Sequence, residues 1–536
     1  MAPLAVKIKH AGKAYDVQLD PDQPPTVFKD AVYQVTGVPP DRMKVMIKGG
    51  MLKDDTDWKK VNLKEGQTFM VIGAAGELPK PPEMPIVFLE DMDDVTLAEA
   101  LSLPIGLKNL GNTCYMNATL QAMRAIPELQ TALQNNAPSG LPSALKNLYS
   151  QMSRTTDSVV PSTFLAVLRQ TFPQFAEQAR NSKGLGGMFA MYAQQDAEEC
   201  WVQLTNALKE VPGLPGPSSE GTISKTFVDQ YMTGEMRREL RCDEAPEEPP
   251  TVTFEKVLKI ECNISITTNY MLQGIKEGLN QKIEKNSPSL GRNAMYTATS
   301  RLSRLPTYLT VHMVRFAWRQ DIGKKAKIMR KVKFPTDFDA LELVTDELRE
   351  KMLPLTDRFK KIEGDRSERR TIRKRTAARR QALATAQTAA TASASEPAEV
   401  PGQVAEEVPM DLDEEPVYRE REREELEALI HPDLKADVGC SVSGQYELIA
   451  IVTHKGAAAD SGHYMGFAKK SAIRPIANST APGSSATPTV AEDDEDWYKF
   501  DDDKVSIFPK DKLATLDGGG EDSSAYVLLY KTKPLA

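Results

Sequence analysis

Four prolines in nine residues, ELPKPPEMP from Glu77 to Pro85, constrain this chain more than any other stretch. Proline fixes φ and lacks a backbone N–H, so neither a helix nor an inner strand continues through such a run. The segment favours extended backbone and separates modules. The chain is therefore read as a short unit over residues 1–75, a linker over 76–95, and a long unit over 96–533. In the short unit, Val6 and Ile8, then Tyr15, Val17 and Leu19, alternate on either side of Ala11-Gly12-Lys13, the pattern of a hairpin. Thr26 is placed to cap a helix bearing Phe28, Ala31, Val32 and Val35, with Gly37 to close it. Short strands are expected at Lys44–Ile47 and Thr68–Ile72.

The long unit opens on GLKNLGNTCYMNATLQ, Gly106–Gln121. Gly111 gives a flexible backbone, and Asn112 and Thr113 are helix-capping residue types. Met116, Leu120 and Met123 then recur at helical spacing until Pro127. Cys114 falls where the helix begins, beside unpaired N–H groups and the positive end of the dipole, which favour the nucleophilic thiolate. A lone cysteine on an apolar helix is ordinarily an inert small hydrophobe, and only the string around Cys114 argues otherwise. Helical patterns fill 114–210, and strand-rich sequence follows over 221–290. RLPTYLTVHMVRF (Arg304–Phe316) reads as a buried strand pair. Between Lys360 and Val417 there is no aromatic residue: a basic run, Glu368–Arg380, passes through Ala/Thr-rich sequence to acidic DLDEEP. Such composition buries no core, so 360–417 is expected to be a disordered insertion with helical basic and acidic flanks. Ser471–Glu492, rich in Ser, Ala, Thr and Pro, is expected to be a second.

Composition narrows the function classes. A formal net charge of −8 argues against nucleic acid as the main partner. No apolar run reaches the ~18 residues of a membrane span, and the N-terminus lacks the apolar core of a signal peptide. The five cysteines, 114, 200, 242, 262 and 440, form no CxxC pair. Neither a disulfide framework nor a zinc ribbon is expected, and no metal or cofactor. This usage points to a reducing compartment, cytosol or nucleus.

Four segments in order carry a resemblance. Gly106–Gln121 resembles the cysteine box of the ubiquitin-specific protease family. QQDAEEC (Gln194–Cys200) resembles its glutamine-aspartate box, Tyr446–Phe467 its histidine box, and WYKFDDDKVS (Trp497–Ser506) its closing aspartate box. The order of elements in 1–75 is similar to ubiquitin itself. Ile72-Gly73-Ala74-Ala75-Gly76 runs straight into Glu77, however, so no diglycine terminus is available for conjugation, and the unit reads as a docking module.

The resemblance implies an α+β chain: a β-grasp ubiquitin-like domain, then a papain-like protease domain of thumb, palm and fingers. It implies thiol-dependent hydrolysis at the ubiquitin C-terminus, with Cys114 as nucleophile, His463 of GHY as base and Asp501 orienting that base. Asn109 would donate to the oxyanion together with the Cys114 N–H. His454, on the other arm of the same apparent hairpin, reads as a polar histidine closing the strand, and Asp502 and Asp503 remain competitors of Asp501. Gln195, Asp196, Glu199 and Tyr464 are expected to contact the substrate, with Asp196 and Glu199 sharing a helix face toward the basic ubiquitin tail. Phe316–Phe334 and Lys455–Ser461 match loops that cover the cleft in the proteasome-associated branch, which also places a ubiquitin-like domain first. The implied partners are ubiquitin, polyubiquitinated proteins and, through residues 1–75, the proteasome regulatory particle. The alternative from another class is a catalytically inactive ubiquitin-binding scaffold.

Overall fold

The computed structural model describes residues 3–73 except 41, 48, 49, 55, 59, 60 and 62, scattered residues over 93–98, and residues 104–178, 192–215, 225–320, 323–392, 415–458, 461–473 and 494–535. Nearly all of the linker expected at 76–95 and of the 471–492 insertion lies outside the described residues. The chain divides into two compact units, Met1–Asp91 and Met92–Ala536.

In the first unit, β1 (Leu4–His10) and β2 (Lys13–Leu19) form the expected hairpin, and α1 spans Pro25–Thr36. Strands β3 (Lys44–Ile47), β4 (Gly50–Met51) and β5 (Thr68–Ile72) complete a mixed sheet, ordered β2-β1-β5-β3-β4, with β1 and β5 parallel. Thr26 does not cap α1. The cap position is Pro24, and Pro25, whose φ is preset for the helix, opens the first turn. Gly37 closes the helix at φ 68° and donates its N–H to the Tyr33 carbonyl. Val6, Ile8, Val32, Val45 and Phe69 are buried, with Phe28 edge-on to Trp58, whose indole N–H donates to the Gln23 carbonyl.

The second unit is built around α2, Cys114–Arg124. All eleven of its residues are buried, the mark of a helix enclosed on every side. Helices α3 (Pro127–Asn135), α4 (Leu141–Met152), α5 (Ser162–Thr171) and α6 (Ala197–Ala207) form the thumb. Strands β6 (Gly234–Cys242) and β7 (Thr251–Val257) join β9 (Asn280–Ser287) and β10 (Arg292–Arg304), introduced around the short β8 (Ile260–Asn263), in a four-stranded fingers sheet ordered β7-β6-β10-β9. The palm strands are β11 (Tyr308–Val314), β14 (Asp337–Asp339), β15 (Gln445–Lys455), β16 (His463–Lys469), β17 (Trp497–Asp501), β18 (Lys504–Phe508) and β19 (Ser524–Thr532). The sheet runs β18-β17-β16-β15-β19-β11-β8, with β14 on β15. The α2 helix packs on β15, β16 and β17 from one side and on the thumb from the other. Of the expected strand pair at Arg304–Phe316, β11 enters the palm. β12 (Phe316–Arg319) leaves it to pair with β13 (Lys324–Lys327).

The 360–417 insertion is more ordered than its composition suggests. Helix α7 runs Asp346–Ala392 and α8 runs Glu415–Ala428, while residues 393–414 lie outside the described residues. Aliphatic and aromatic side chains just before the aromatic-free stretch, with Ile362 inside it, supply the missing core. Leu355, Phe359 and Ile362 pack on Leu426. Arg366, whose side chain is 4% exposed, pairs with Glu422 at 2.7 Å, and Arg369 pairs with both Glu415 and Glu422. Pairing of basic with acidic flank thus replaces the aromatic burial that the sequence lacks.

Candidate active site

The first residue of α2 is Cys114, 3% exposed. The turn before it is unusual: Gly111 and Asn112 take φ of 93° and 55°. Neither Asn112 nor Thr113 makes the capping bond their types suggest. Thr113 holds the cap position, but its hydroxyl accepts from the Leu110 N–H, and the Asn112 amide donates to the Tyr192 carbonyl at 3.0 Å. The opening N–H groups of α2 have no intrahelical acceptor, and Cys114 sits among them.

His463 starts β16, paired with Lys455 across the hairpin, and Asp501 ends β17. The His463 Nε2 and Asp501 Oδ1 are 2.6 Å apart, and the ring also lies within hydrogen-bonding reach of the Cys114 thiol. That contact, opposed by partial burial and reinforced by Asp501, pushes the imidazole up to about 9. Burial acts to raise the Asp501 carboxyl, but the His463 bond and the His463 and Lys499 charges outweigh it and hold it below its ordinary value. The mutual stabilisation of ring and carboxylate favours an imidazolium paired with an ionised Asp501.

His454, one residue from the hairpin's end, is fully buried. Burial and nearby Lys327 push it down to about 4, and its ring packs edge-on against Phe316 and Tyr464. Its Nε2 meets the Ser461 carbonyl at 3.1 Å. His454 is a neutral strut of the hairpin.

The Asp501–Asp503 triplet is resolved by a turn rather than by strand alternation. Asp502 adopts φ 52° between β17 and β18, which turns its carboxylate toward α2. One oxygen accepts from Asn117 Nδ2 at 2.8 Å and the other from Asn109 Nδ2 at 2.9 Å. Asn109 Oδ1 in turn accepts from the Gly111 N–H at 2.9 Å. The Asn109 amide is therefore held at both ends, with one N–H left to donate. Gly106 permits this approach, since a Cβ there would lie 2.4 Å from the Asp503 carbonyl oxygen. His463, Asp501 and Asp502 place one donor atom each within 4.8 Å of one another, as a metal-ligand set would. Each already has protein partners: His463 and Asp501 bond to one another, and Asp502 to two asparagines.

The expected substrate contacts divide. Asp196 is not on the helix face with Glu199. It is the N-cap of α6, accepting from the Glu198 N–H at 2.7 Å and from the Tyr526 hydroxyl at 2.8 Å. Glu199 is half-buried in the first turn of α6, and Gln195 is half-buried in the loop before it. Tyr464 is 1% exposed and packs on His454, so it backs the site from beneath and presents no surface to a ligand. The two candidate cleft loops are tied together. The Lys327 N–H donates to the Ala457 carbonyl, and its ammonium donates to the His454 and Asp522 carbonyls at 2.9 and 3.0 Å. Sequence reasoning missed Asp502, Tyr526 and Lys327 as supports of the site, because each acts on residues far away in the chain.

A ubiquitin carboxyl-terminal hydrolase family model matches residues 105–530, and a ubiquitin family model matches residues 5–75. The chain belongs to the ubiquitin carboxyl-terminal hydrolase family. It is a ubiquitin hydrolase of the cysteine peptidase type, with an N-terminal ubiquitin-like domain. It is 39% identical to ubiquitin carboxyl-terminal hydrolase 6 of Schizosaccharomyces pombe over 100% of both chains. It is 35% identical to ubiquitin carboxyl-terminal hydrolase 6 of Arabidopsis thaliana over 98% of each. It is 27% identical to ubiquitin carboxyl-terminal hydrolase 14 of Caenorhabditis elegans over 98% of this chain and 93% of that one.

Proposed function

We infer that the chain is a deubiquitinating protease that cleaves the isopeptide bond at the ubiquitin C-terminus, on substrates held at the proteasome, in cytosol and nucleus. The observation that carries the chemistry is the 2.6 Å contact between His463 Nε2 and Asp501 Oδ1, with the Cys114 thiol acting on the same ring. In this reading the Cys114 thiolate attacks the isopeptide carbonyl. The oxyanion is received by the Cys114 N–H and the free N–H of Asn109. His463 protonates the departing lysine amine and then activates the water that releases ubiquitin. Asp501 holds the ring's orientation and its positive charge. Glu199 and Gln195 are assigned to the substrate's tail, Glu199 by charge-assisted pairing. The five cysteines are all free thiols, in keeping with a reducing compartment.

The ubiquitin-like unit supports delivery. It lacks the diglycine, and its sheet exposes Met46, Met51, Met70 and Ile72, between 42% and 55% each. Met46 is registered against both Met51 and Met70, so these side chains form one patch. Flexible methionines at an exposed patch suit a docking surface.

A ubiquitin electrophile should label Cys114, and Cys114→Ala should lose both labelling and hydrolysis while keeping ubiquitin binding. Undiminished hydrolysis by that variant would refute the nucleophile assignment. Residues 86–536 should turn over a small ubiquitin substrate as the full chain does, yet sediment with proteasomes less well. Equal sedimentation would refute the delivery role.

A further inference from the structure

Cysteine-protease chemistry leaves one feature of the thumb unused. A cavity of about 220 Å³ opens between α3 and α4. Lys146 and Arg154 bring cations to it, Ser150 and Ser153 hydroxyls, and Gln130 and Tyr149 form a polar inner wall. None of its eight lining residues is acidic.

Behind that wall lies Arg124, the last residue of α2, 7% exposed. Its Nη1 is buried without a hydrogen-bond partner. The two wall residues are its neighbours. Gln130 Nε2 donates to the Arg124 carbonyl at 2.8 Å. The Tyr149 hydroxyl donates to the Leu120 carbonyl at 2.9 Å, one turn before Arg124 on the same helix. Burial disfavours the Arg124 charge, and among the described residues Tyr149 is the one titratable group that acts on it, with no carboxylate to compensate. Buried charges in proteins are as a rule paired, and a guanidinium does not escape by losing its proton. Two cations and two hydroxyls line the cavity, with no acid among its lining residues, and a third cation lies behind its wall, so this charge is left to be balanced from outside the described residues.

We propose that the thumb cavity binds a phosphate group, either inorganic phosphate or the phosphomonoester of a small metabolite. Arg124, Lys146 and Arg154 supply the opposing charge, and Ser150 and Ser153 donate to its oxygens. A phosphate dianion answers several cations at once, where a carboxylate answers one, and its oxygens match the fork of a guanidinium. The volume is below the roughly 300 Å³ at which drug-sized ligand pockets begin, so a phosphate-sized group fits and a whole nucleotide does not. Arg124 ends the helix that Cys114 begins, so the ligand would steady α2 without touching the reacting groups.

The test is calorimetric titration of the full-length chain with inorganic phosphate and, separately, with glycerol phosphate, against chloride at equal ionic strength. One-to-one binding and a rise in Tm that chloride does not reproduce are expected. Tighter binding of inorganic phosphate identifies free phosphate as the ligand; tighter binding of glycerol phosphate identifies a phosphomonoester. Lys146→Met and Arg154→Met should each weaken binding about tenfold while leaving ubiquitin-substrate turnover in phosphate-free buffer unchanged. Arg124→Met should abolish binding, with an unliganded Tm no lower than that of the natural chain. The two surface variants carry the test whatever the folding of the Arg124 variant. Absence of binding, a Tm rise that chloride equals, or phosphate affinity unchanged in both surface variants would overturn the proposal.

Discussion

Asp502→Ala isolates the support of the oxyanion donor from the chemistry of the neighbouring Asp501. The Asp502 carboxylate receives Asn109 Nδ2 at 2.9 Å and Asn117 Nδ2 at 2.8 Å. Hydrogen bonds to a charged acceptor contribute about 1.5–3 kcal/mol each when buried. The Asn117 bond is partly buried and belongs near that range; the Asn109 bond is exposed and contributes less. A stability loss of about 2 kcal/mol is therefore expected from the pair. The catalytic effect should be larger in proportion. Without Asp502, the Asn109 amide is held among the described residues only through Oδ1, by the Gly111 and Thr113 N–H groups and the Thr113 hydroxyl, and its nitrogen is free to swing. Losing one preorganised oxyanion donor costs about 10²–10³ in kcat. The oxyanion exists only after attack, so kcat should fall by about 10² with KM little changed. Asp502→Asn should be milder, about tenfold in kcat. Asparagine tolerates the left-handed backbone at φ 52° and keeps one carbonyl acceptor. Steady-state hydrolysis of a ubiquitin–aminocoumarin substrate, with thermal unfolding on the same samples, measures both effects. An unchanged kcat in Asp502→Ala, alongside a large loss in Asn109→Ala, would refute the reasoning and leave Gly111 and Thr113 as sufficient supports.

Three further outcomes are expected. Gly106→Ala should lower both Tm and kcat, because its Cβ would meet the Asp503 carbonyl oxygen at 2.4 Å and drive the Asp501–Asp503 turn from α2; a crystal structure of the variant with that turn unmoved would count against it. The His463 imidazole is raised to about 9, so the stability it contributes is complete below its unfolded value of about 6.5 and is lost as pH rises through about 9. The alkaline limb of kcat/KM should follow the same proton and shift to lower pH in Asp501→Asn, which removes one of the raising interactions; a limb that stays in place would reject Asp501 as the partner. Arg366→Ala should destabilise by about 1.5–3 kcal/mol by taking from Glu422 one of its two arginine partners, while Arg366→Met with Glu422→Leu should recover much of the loss in denaturant titrations.

What the sequence reveals here is what short-range pattern encodes. The alternation of Val6, Ile8, Val17 and Leu19 specified a hairpin, and the spacing of Met116, Leu120 and Met123 placed Cys114 at a helix start. Contacts between remote segments leave no such trace. Nothing near Asp196 announces that Tyr526, 330 residues later, takes both of its oxygens. Strand alternation pairs Asp501 with Asp503, but the left-handed turn at Asp502 breaks that alternation and gives the middle residue its own task. The aromatic-free stretch misled for a related reason. Composition counts apolar residues within a segment, whereas α7 draws its core from Phe359 before the stretch and Leu426 after it, and its charge balance from Glu415 and Glu422.

The position of β19 in the palm also governs when activity can arise during synthesis. This strand is made after every other described palm strand, yet it lies between β15 and β11 and pairs with both. Until Ser524–Thr532 leaves the ribosome, the hairpin carrying His463 has no sheet bond to the half of the palm that includes β11 and β8. Tyr526 on the same strand is likewise missing from Asp196 at the mouth of α6. Because domains fold as units behind the ribosome, the hairpin carrying His463 is expected to reach its place only after β19 has emerged, and a ribosome stalled before β19 should display no working hydrolase to the ubiquitin around it.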